Sequence, residues 1–119
     1  MTTYRLENGV SEAAFKERLA GSQKLLVVCM KDATKAPGHL PGGWQFFALN
    51  HTTQRWAPLH LSRMQRGETK PRQFKTVDGV CGYMMDLGLP VALAPLREGD
   101  GYEVDMDGTA IRRTGVCLD

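Results

Sequence analysis

One stretch decides the fold of this chain: Lys24-Leu25-Leu26-Val27-Val28-Cys29-Met30-Lys31. Six consecutive apolar residues lie between two lysines, and none of them breaks a strand. A short apolar run without alternation is typical of a strand that is buried on both faces, whereas a half-exposed strand alternates apolar and polar residues. The sequence therefore predicts a strand over 24–31 in the middle of a sheet.

The residues before this strand carry the signals of a short helix. Ser11 is a good N-cap for a helix over 12–20, with Val10 and Phe15 placed as a hydrophobic staple. Gly21 follows and is expected to end the helix, because glycine is the residue that most often follows a helix.

Beyond the central strand, two prolines and three glycines between 32 and 43 predict a long loop. Two further strands are expected, over 44–50 and over 59–65, the second with alternating apolar and polar residues. Pro58 lacks an N–H group, which favours an edge position for that second strand.

A second helix is predicted to begin after Thr76, its natural N-cap, and to end at Gly88. Its apolar positions follow a three-four spacing and are Val77, Val80, Cys81, Met84 and Leu87. Gly79 and Gly82 lie inside this helix and each costs about 1 kcal/mol relative to alanine. We expect another backbone to pack closely against these two glycines.

The C-terminal part of the chain predicts a β-hairpin, with strands over 102–106 and 109–111 and a two-residue turn at Asp107-Gly108. Because helices and strands are grouped along the chain and do not alternate strictly, the sequence favours an α+β fold. We predict one small domain over 1–119, with a mostly antiparallel sheet of about five or six strands and two helices packed on one face.

Composition indicates a folded cytoplasmic protein. The chain has 119 residues, of which 42% are hydrophobic and 24% charged, enough to form one core. Its longest apolar run is far shorter than the roughly 20 residues of a membrane-spanning helix, and the N-terminus lacks the apolar region of a signal peptide. We therefore expect no membrane partner. Three widely spaced cysteines form no disulfide framework, which favours a reducing compartment.

No motif in the sequence names a reaction, a metal or a cofactor. Structural zinc sites use close pairs of ligands, whereas Cys29, Cys81 and Cys117 stand far apart. The acidic run at 103–108 begins like an EF-hand, but Thr114 stands where the bidentate glutamate belongs. We therefore expect a non-enzymatic protein with no cofactor, in which Cys29 and Cys81 are core residues.

The candidate binding site is a basic loop over 63–75, which has a local charge of +4 and leads into the second helix. Helix N-termini attract anions through their free N–H groups and their positive dipole end. We therefore predict a site for phosphate or carboxylate groups, although a solvated turn explains the same charges. The predicted binding residues are Arg63, Arg66, Lys70, Arg72, Lys75 and Thr76.

The stretch Arg72-Gln73-Phe74-Lys75-Thr76-Val77-Asp78 and the closing Leu87-Gly88 also carry a resemblance. The order of features here resembles a segment of small accessory proteins from plasmids, integrative elements and phages. These features are a strand, a basic turn, R-x-F-K, a hydroxyl residue, an apolar helix and L-G. The resemblance covers about residues 63–88 and implies a provenance in mobile elements. Such proteins often act by binding, including as inhibitors of CRISPR systems and as regulators of replication or partition.

Two functions are consistent with these features. The first is a non-catalytic protein that docks on a host or plasmid protein and inhibits or modulates it; the uneven charge, +4 over 63–75 against −3 over 97–119, suits oriented docking. The second is binding of nucleic acid through the basic loop. Aromatic residues could then stack on bases, although core packing is their usual place: Trp44, Phe46, Phe47 and Trp56.

Overall fold

The structure is a computed structural model that describes residues 2–60 and 70–119. Within these residues it contains two helices and eight strands, in the order β1 (Thr2–Tyr4), α1 (Glu12–Ser22), β2 (Lys24–Lys31), β3 (Pro41–Asn50), β4 (Arg55–Pro58), β5 (Phe74–Thr76), α2 (Val77–Asp86), β6 (Gly101–Asp105), β7 (Ala110–Arg113) and β8 (Val116–Leu118). Neither described helix has the length and apolar character that crossing a membrane requires.

The main sheet confirms the predicted α+β architecture. Its strand order is β4-β3-β2-β6-β7, all neighbours are antiparallel, and β5 pairs with the first residues of β3. The stretch 24–31 forms its central strand, and five consecutive residues from Leu25 to Cys29 are buried. Continuous burial rather than alternation is what the apolar run predicted.

Two layers cover this sheet, one on each face. Side chains alternate along β2, so Leu25 and Val27 join the core beneath both helices, whereas Leu26 and Val28 point to the opposite face. We call these regions the helix-side core and the terminal core. The helices contribute five fully buried side chains to the helix-side core: Phe15, Leu19, Val80, Tyr83 and Met84.

The terminal core is closed by the two ends of the chain. β1 and β8 form a separate parallel pair, in which Tyr4 lies opposite Leu118. Tyr4 donates a hydrogen bond of 2.7 Å to Glu103 Oε2 on β6, and Arg113 Nε donates one of 2.8 Å to the same oxygen. Sequence analysis missed both strands, since three residues are too few for an alternation pattern to be recognised.

The region around Pro58 differs from the prediction. A strand that was not predicted, β4, lies at Arg55–Pro58, just before the one expected over 59–65. Of that expected strand, Leu59 and His60 form only isolated bridges, and residues 61–65 lie outside the described residues. Pro58 does lie on an end strand of the main sheet, as expected. The predicted loop over 32–43 is also too long, because β3 already begins at Pro41.

Most of the residues predicted to begin or end the two helices do so, and one does not. Ser11 and Thr76 are the N-caps, and their hydroxyl oxygens accept hydrogen bonds from the Ala14 and Gly79 N–H groups. Gly88 follows α2 with φ +84°, as expected of a glycine after a helix. Gly21 does not end α1: Gln23 adopts the left-handed conformation, with φ 59°, and donates to Leu19 O over 2.7 Å.

The prediction that another backbone packs against Gly79 and Gly82 was wrong. A Cβ at Gly82 would have no neighbour within 4 Å, and one at Gly79 would meet only side chains, so no second backbone packs there.

The hairpin loop between β6 and β7 is longer than the two residues predicted. Counted from the hydrogen bond between Asp105 and Thr109, it has three residues, 106–108. Asp105 O accepts from Gly108 N, Asp105 N donates to Thr109 O, and Gly108 has φ +98°, the pattern of a type I turn followed by a bulge.

Candidate functional site

The described part of the predicted basic site lies on β5 and on the residues just before it: Lys70 and Arg72 precede β5, and Lys75 and Thr76 belong to it. Arg63 and Arg66 lie outside the described residues, so their position in the site stays a prediction. Lys70 and Lys75 are exposed, and Arg72 and Thr76 are half-buried. No described acid forms an ion pair with Lys70, Arg72 or Lys75. Their positive charges are therefore not neutralised by the described acids.

The segment that leads into β5 divides these charges between two faces. Successive side chains of an extended segment point to opposite faces, so Arg72 shares a face with the buried Phe74, whereas Lys75 shares the other face with Gln73. Arg72 thus lies over the helix-side core. Lys75 lies at an open cleft on the other side.

Arg72 is held in place by aromatic rings. Its guanidinium carbon lies 4.6 Å from the centre of the Phe74 ring and 5.3 Å from that of Tyr83. A cation over a ring at this distance contributes about 0.5–1 kcal/mol at an exposed site and more where water is excluded. No side chain of the described residues accepts a hydrogen bond from this planar guanidinium, whose N–H groups suit a bidentate acceptor such as a carboxylate or a phosphate.

The cleft beside Lys75 has a volume of about 560 Å³ and lies between the end of β2, the start of β3 and β5. Lys31 and Lys75 line it together with Asp32, which leaves an excess of positive charge. Gly42 and Gly43 form part of its wall, and a Cβ at Gly42 would lie 2.6 Å from the Trp44 ring. Gly42 therefore cannot be replaced without displacing the buried Trp44 ring.

The N-terminus of α2 is largely occupied by contacts within the chain. Thr76 Oγ1 accepts a 3.0 Å hydrogen bond from Gly79 N, and Val77 N donates one of 3.0 Å to Leu40 O. Asp78 adds a negative charge to the same turn. An anion in this region would therefore be bound by the side chains of Arg72 or Lys75 more than by helix N–H groups.

Tyr83 is the buried polar residue that sequence reasoning missed. It is 5% exposed, and its hydroxyl has no hydrogen-bond partner among the described residues. Burial, followed by the negative charge of Glu12, raises the pKa of Tyr83 to about 12, and Arg72 opposes this shift. Its position in the three-four pattern of α2 could have indicated a buried tyrosine, but not the lack of a partner.

Replacing Tyr83 by phenylalanine is expected to raise the free energy of unfolding by about 1 kcal/mol. The change removes a hydroxyl that lost its water on folding and gained no partner in the part of the chain that the structure describes, while the ring beneath Arg72 is kept. Urea denaturation measures the effect. Tyr4→Phe is the matched control, since its hydroxyl donates to Glu103 and its loss should cost about 1–2 kcal/mol. Equal losses in both variants would contradict the prediction.

The aromatic residues considered for base stacking are core residues. Trp44 and Phe46 are completely buried, and Phe47 and Trp56 are nearly so. Trp44 Nε1 donates a 2.6 Å hydrogen bond to Pro95 O in the interior. The stacking hypothesis is therefore wrong, because these rings present no face to a ligand.

The cysteines and histidines lie in separate parts of the molecule. Cys29 is buried as expected and burial raises the pKa of its thiol, whereas Cys81 is only half-buried and Cys117 is exposed. His60 is buried against Gly9, and burial lowers its pKa. Within residues 2–60 and 70–119, no three His, Cys, Asp or Glu side chains come together as metal ligands would.

Comparisons of this chain with protein families, with curated proteins and with solved structures find no match in any of the three.

Proposed function

We propose that this protein is a non-catalytic binding protein of a mobile genetic element or phage that acts in the cytoplasm. It docks on a host or plasmid protein, such as a CRISPR complex or another nucleic-acid-processing assembly, and inhibits or modulates it. The observation that carries this proposal is Arg72, whose guanidinium is held over Phe74 and Tyr83 and has no described acid as partner. Arginines fixed in this way are typical anchors of protein interfaces.

The arrangement of charges favours a protein over a nucleic acid as the partner. A phosphate backbone is usually followed by a continuous row of cations, whereas Arg72, just before β5, lies over Phe74 and Lys75, on β5, lines the cleft on the other face. The aromatic side chains that could stack on bases are buried. Two separate contacts with acidic groups of a shaped protein surface fit the described residues better.

The test is capture of a partner from host lysate on immobilised protein. Arg72→Glu and Lys75→Glu are each expected to weaken capture at least about tenfold, because they place a carboxylate where the partner presents one. Arg5→Glu is the matched control: this exposed arginine directly follows β1, where its C=O accepts from Trp56 N on β4, and its reversal should leave capture unchanged. Circular dichroism checks that all three variants fold.

Two results would overturn the proposal. Either the wild-type protein recovers no stoichiometric partner, or Arg5→Glu weakens capture as much as Arg72→Glu. The second result would mean that overall charge, and not the surface around β5, drives the association.

A second candidate function is binding of nucleic acid, favoured by the open cleft between Lys31 and Lys75. Affinity that depends on phosphate contacts falls steeply with salt, since counterions are released on binding. A mobility-shift titration at two salt concentrations tests this alternative, with Lys75→Glu as the weakened variant. Absence of a shift at low salt would end it.

A further inference from the structure

The two ends of the main sheet differ in how their edges are covered. At β4 the edge is closed by the chain itself: Trp56 N donates to Arg5 O over 2.8 Å, and Glu7 N and Val10 N donate to Trp56 O and Pro58 O over 3.0 Å each. At the opposite end, β7 pairs with β6 and with no other described strand. Among residues 2–60 and 70–119, nothing pairs with the outer side of β7, which is therefore an open edge of the described sheet.

The register of the hairpin shows which backbone groups of β7 face outward. Asp105 N donates to Thr109 O, and Glu103 lies opposite Ile111 two residues further along. In an antiparallel pair, hydrogen-bonded and non-hydrogen-bonded positions alternate, so Thr109, Ile111 and Arg113 direct their backbone groups toward β6. The N–H and C=O groups of Ala110 and Arg112 consequently point away from the sheet, where a further strand would bind them.

We propose that β7 pairs antiparallel with β7 of a second copy of this chain, about a two-fold axis at Ile111. In this register Ala110 of one copy lies opposite Arg112 of the other, and both pairs exchange backbone hydrogen bonds. Ile111 lies opposite its own counterpart at the closely spaced, non-hydrogen-bonded position. The two main sheets then form one continuous sheet across the dimer.

The side chains select this register over its neighbours. Ile111 is 48% exposed although it lies at the centre of the edge, and self-pairing would place the two isoleucines in contact. A pairing centred on Arg112 would instead set two arginines directly opposite each other, which is destabilising. The Ile111-centred register avoids this clash and uses all outward-facing groups of Ala110 and Arg112.

Charged side chains on an edge strand usually keep a further strand from pairing with it, but the charges on β7 do not have this effect. Arg112 Nη2 lies 3.0 Å from Asp100 Oδ2, and Arg113 Nε lies 2.8 Å from Glu103 Oε2. Each arginine is thus paired with an acid of its own chain, so two β7 strands can approach without a net positive field at the edge. Because the edge strand is only four residues long, the interface is small and the dimer reversible.

Cysteine crosslinking tests the register directly. In a background with Cys81→Ser and Cys117→Ser, Ile111→Cys is expected to form a disulfide-linked dimer with diamide, which takes up the two protons and two electrons of the two thiols. Opposite residues at non-hydrogen-bonded positions lie within disulfide range. Thr109→Cys is the matched control, since its counterpart lies four residues away along the paired strand and should not crosslink.

Sedimentation velocity tests the association itself. The wild-type protein is expected to shift from monomer toward dimer between about 10 μM and about 1 mM. Ala110→Pro removes an N–H group that β6 does not use, and Ile111→Lys places two like charges opposite each other; both should remain monomeric with an unchanged circular dichroism spectrum. A wild-type protein that stays monomeric up to about 1 mM, or crosslinking as efficient at 109 as at 111, would overturn the proposal.

Discussion

Replacing Trp44 by alanine is expected to lower the free energy of unfolding by about 3–5 kcal/mol, a large part of the stability of a domain this size. Trp44 is completely buried in the helix-side core, where it lies on β3 opposite Phe74 of β5. Its removal leaves a cavity and takes away the donor to Pro95 O, which attaches the segment before β6 to the sheet. Denaturation followed by circular dichroism measures the loss.

Two further variants separate the causes of this loss. Trp44→Phe retains most of the ring but leaves Pro95 O without its donor, so it should cost about 1–3 kcal/mol. Leu96→Ala removes a side chain that is 51% exposed next to Pro95 and should change stability by less than about 0.5 kcal/mol. If Trp44→Ala cost no more than Leu96→Ala, Trp44 would not be the central core residue described here.

Replacing Gly9 by alanine is expected to lower the free energy of unfolding by about 2–3 kcal/mol. A Cβ at this position would lie 1.6 Å from His60 Nε2 and 2.1 Å from two ring carbons, far inside contact distance. His60 is only 5% exposed, so its ring cannot move aside without leaving its buried position. Its backbone N–H donates to Val10 O over 2.9 Å. The N-terminal segment would then detach from β4.

A double-mutant cycle identifies the clash as the cause. In a His60→Ala background the ring is absent, and Gly9→Ala should then cost less than about 0.5 kcal/mol. Gly21→Ala is the matched glycine control, because its Cβ would have no neighbour within 4 Å and the residue lies in α1, so the change should stabilise the protein. An equal cost of Gly9→Ala in both backgrounds would show that the backbone, and not His60, resists the change.

The parts of the fold that follow from local patterns could be predicted from the sequence. The apolar run at 24–31 indicated a doubly buried strand, and Ser11 and Thr76 marked the two helix starts. Errors arose where two neighbouring residues were both suited to the same structural position, such as the end of a helix. Gly21 was a plausible end of α1, yet Gln23 takes the left-handed position because its N–H reaches Leu19 O there.

Contacts between distant residues could not be predicted. β1 and β8 pair although more than 110 residues separate them, and neither strand is long enough to show a pattern of its own. The same limit applies to the candidate site. The sequence placed Arg72 and Lys75 in one basic loop, but it did not show that Tyr83 lies beneath the Arg72 guanidinium.

By itself, the sequence determined the α+β class, the central strand and the concentration of positive charge before the second helix, because these depend on composition and short-range periodicity. Only the tertiary structure decided that the segment leading into β5 directs Arg72 and Lys75 to opposite faces, and that β7 is an open edge among the described strands. The reason is physical: the direction of a side chain and the pairing of an edge depend on which strands meet, and that is settled by burial of the core as a whole.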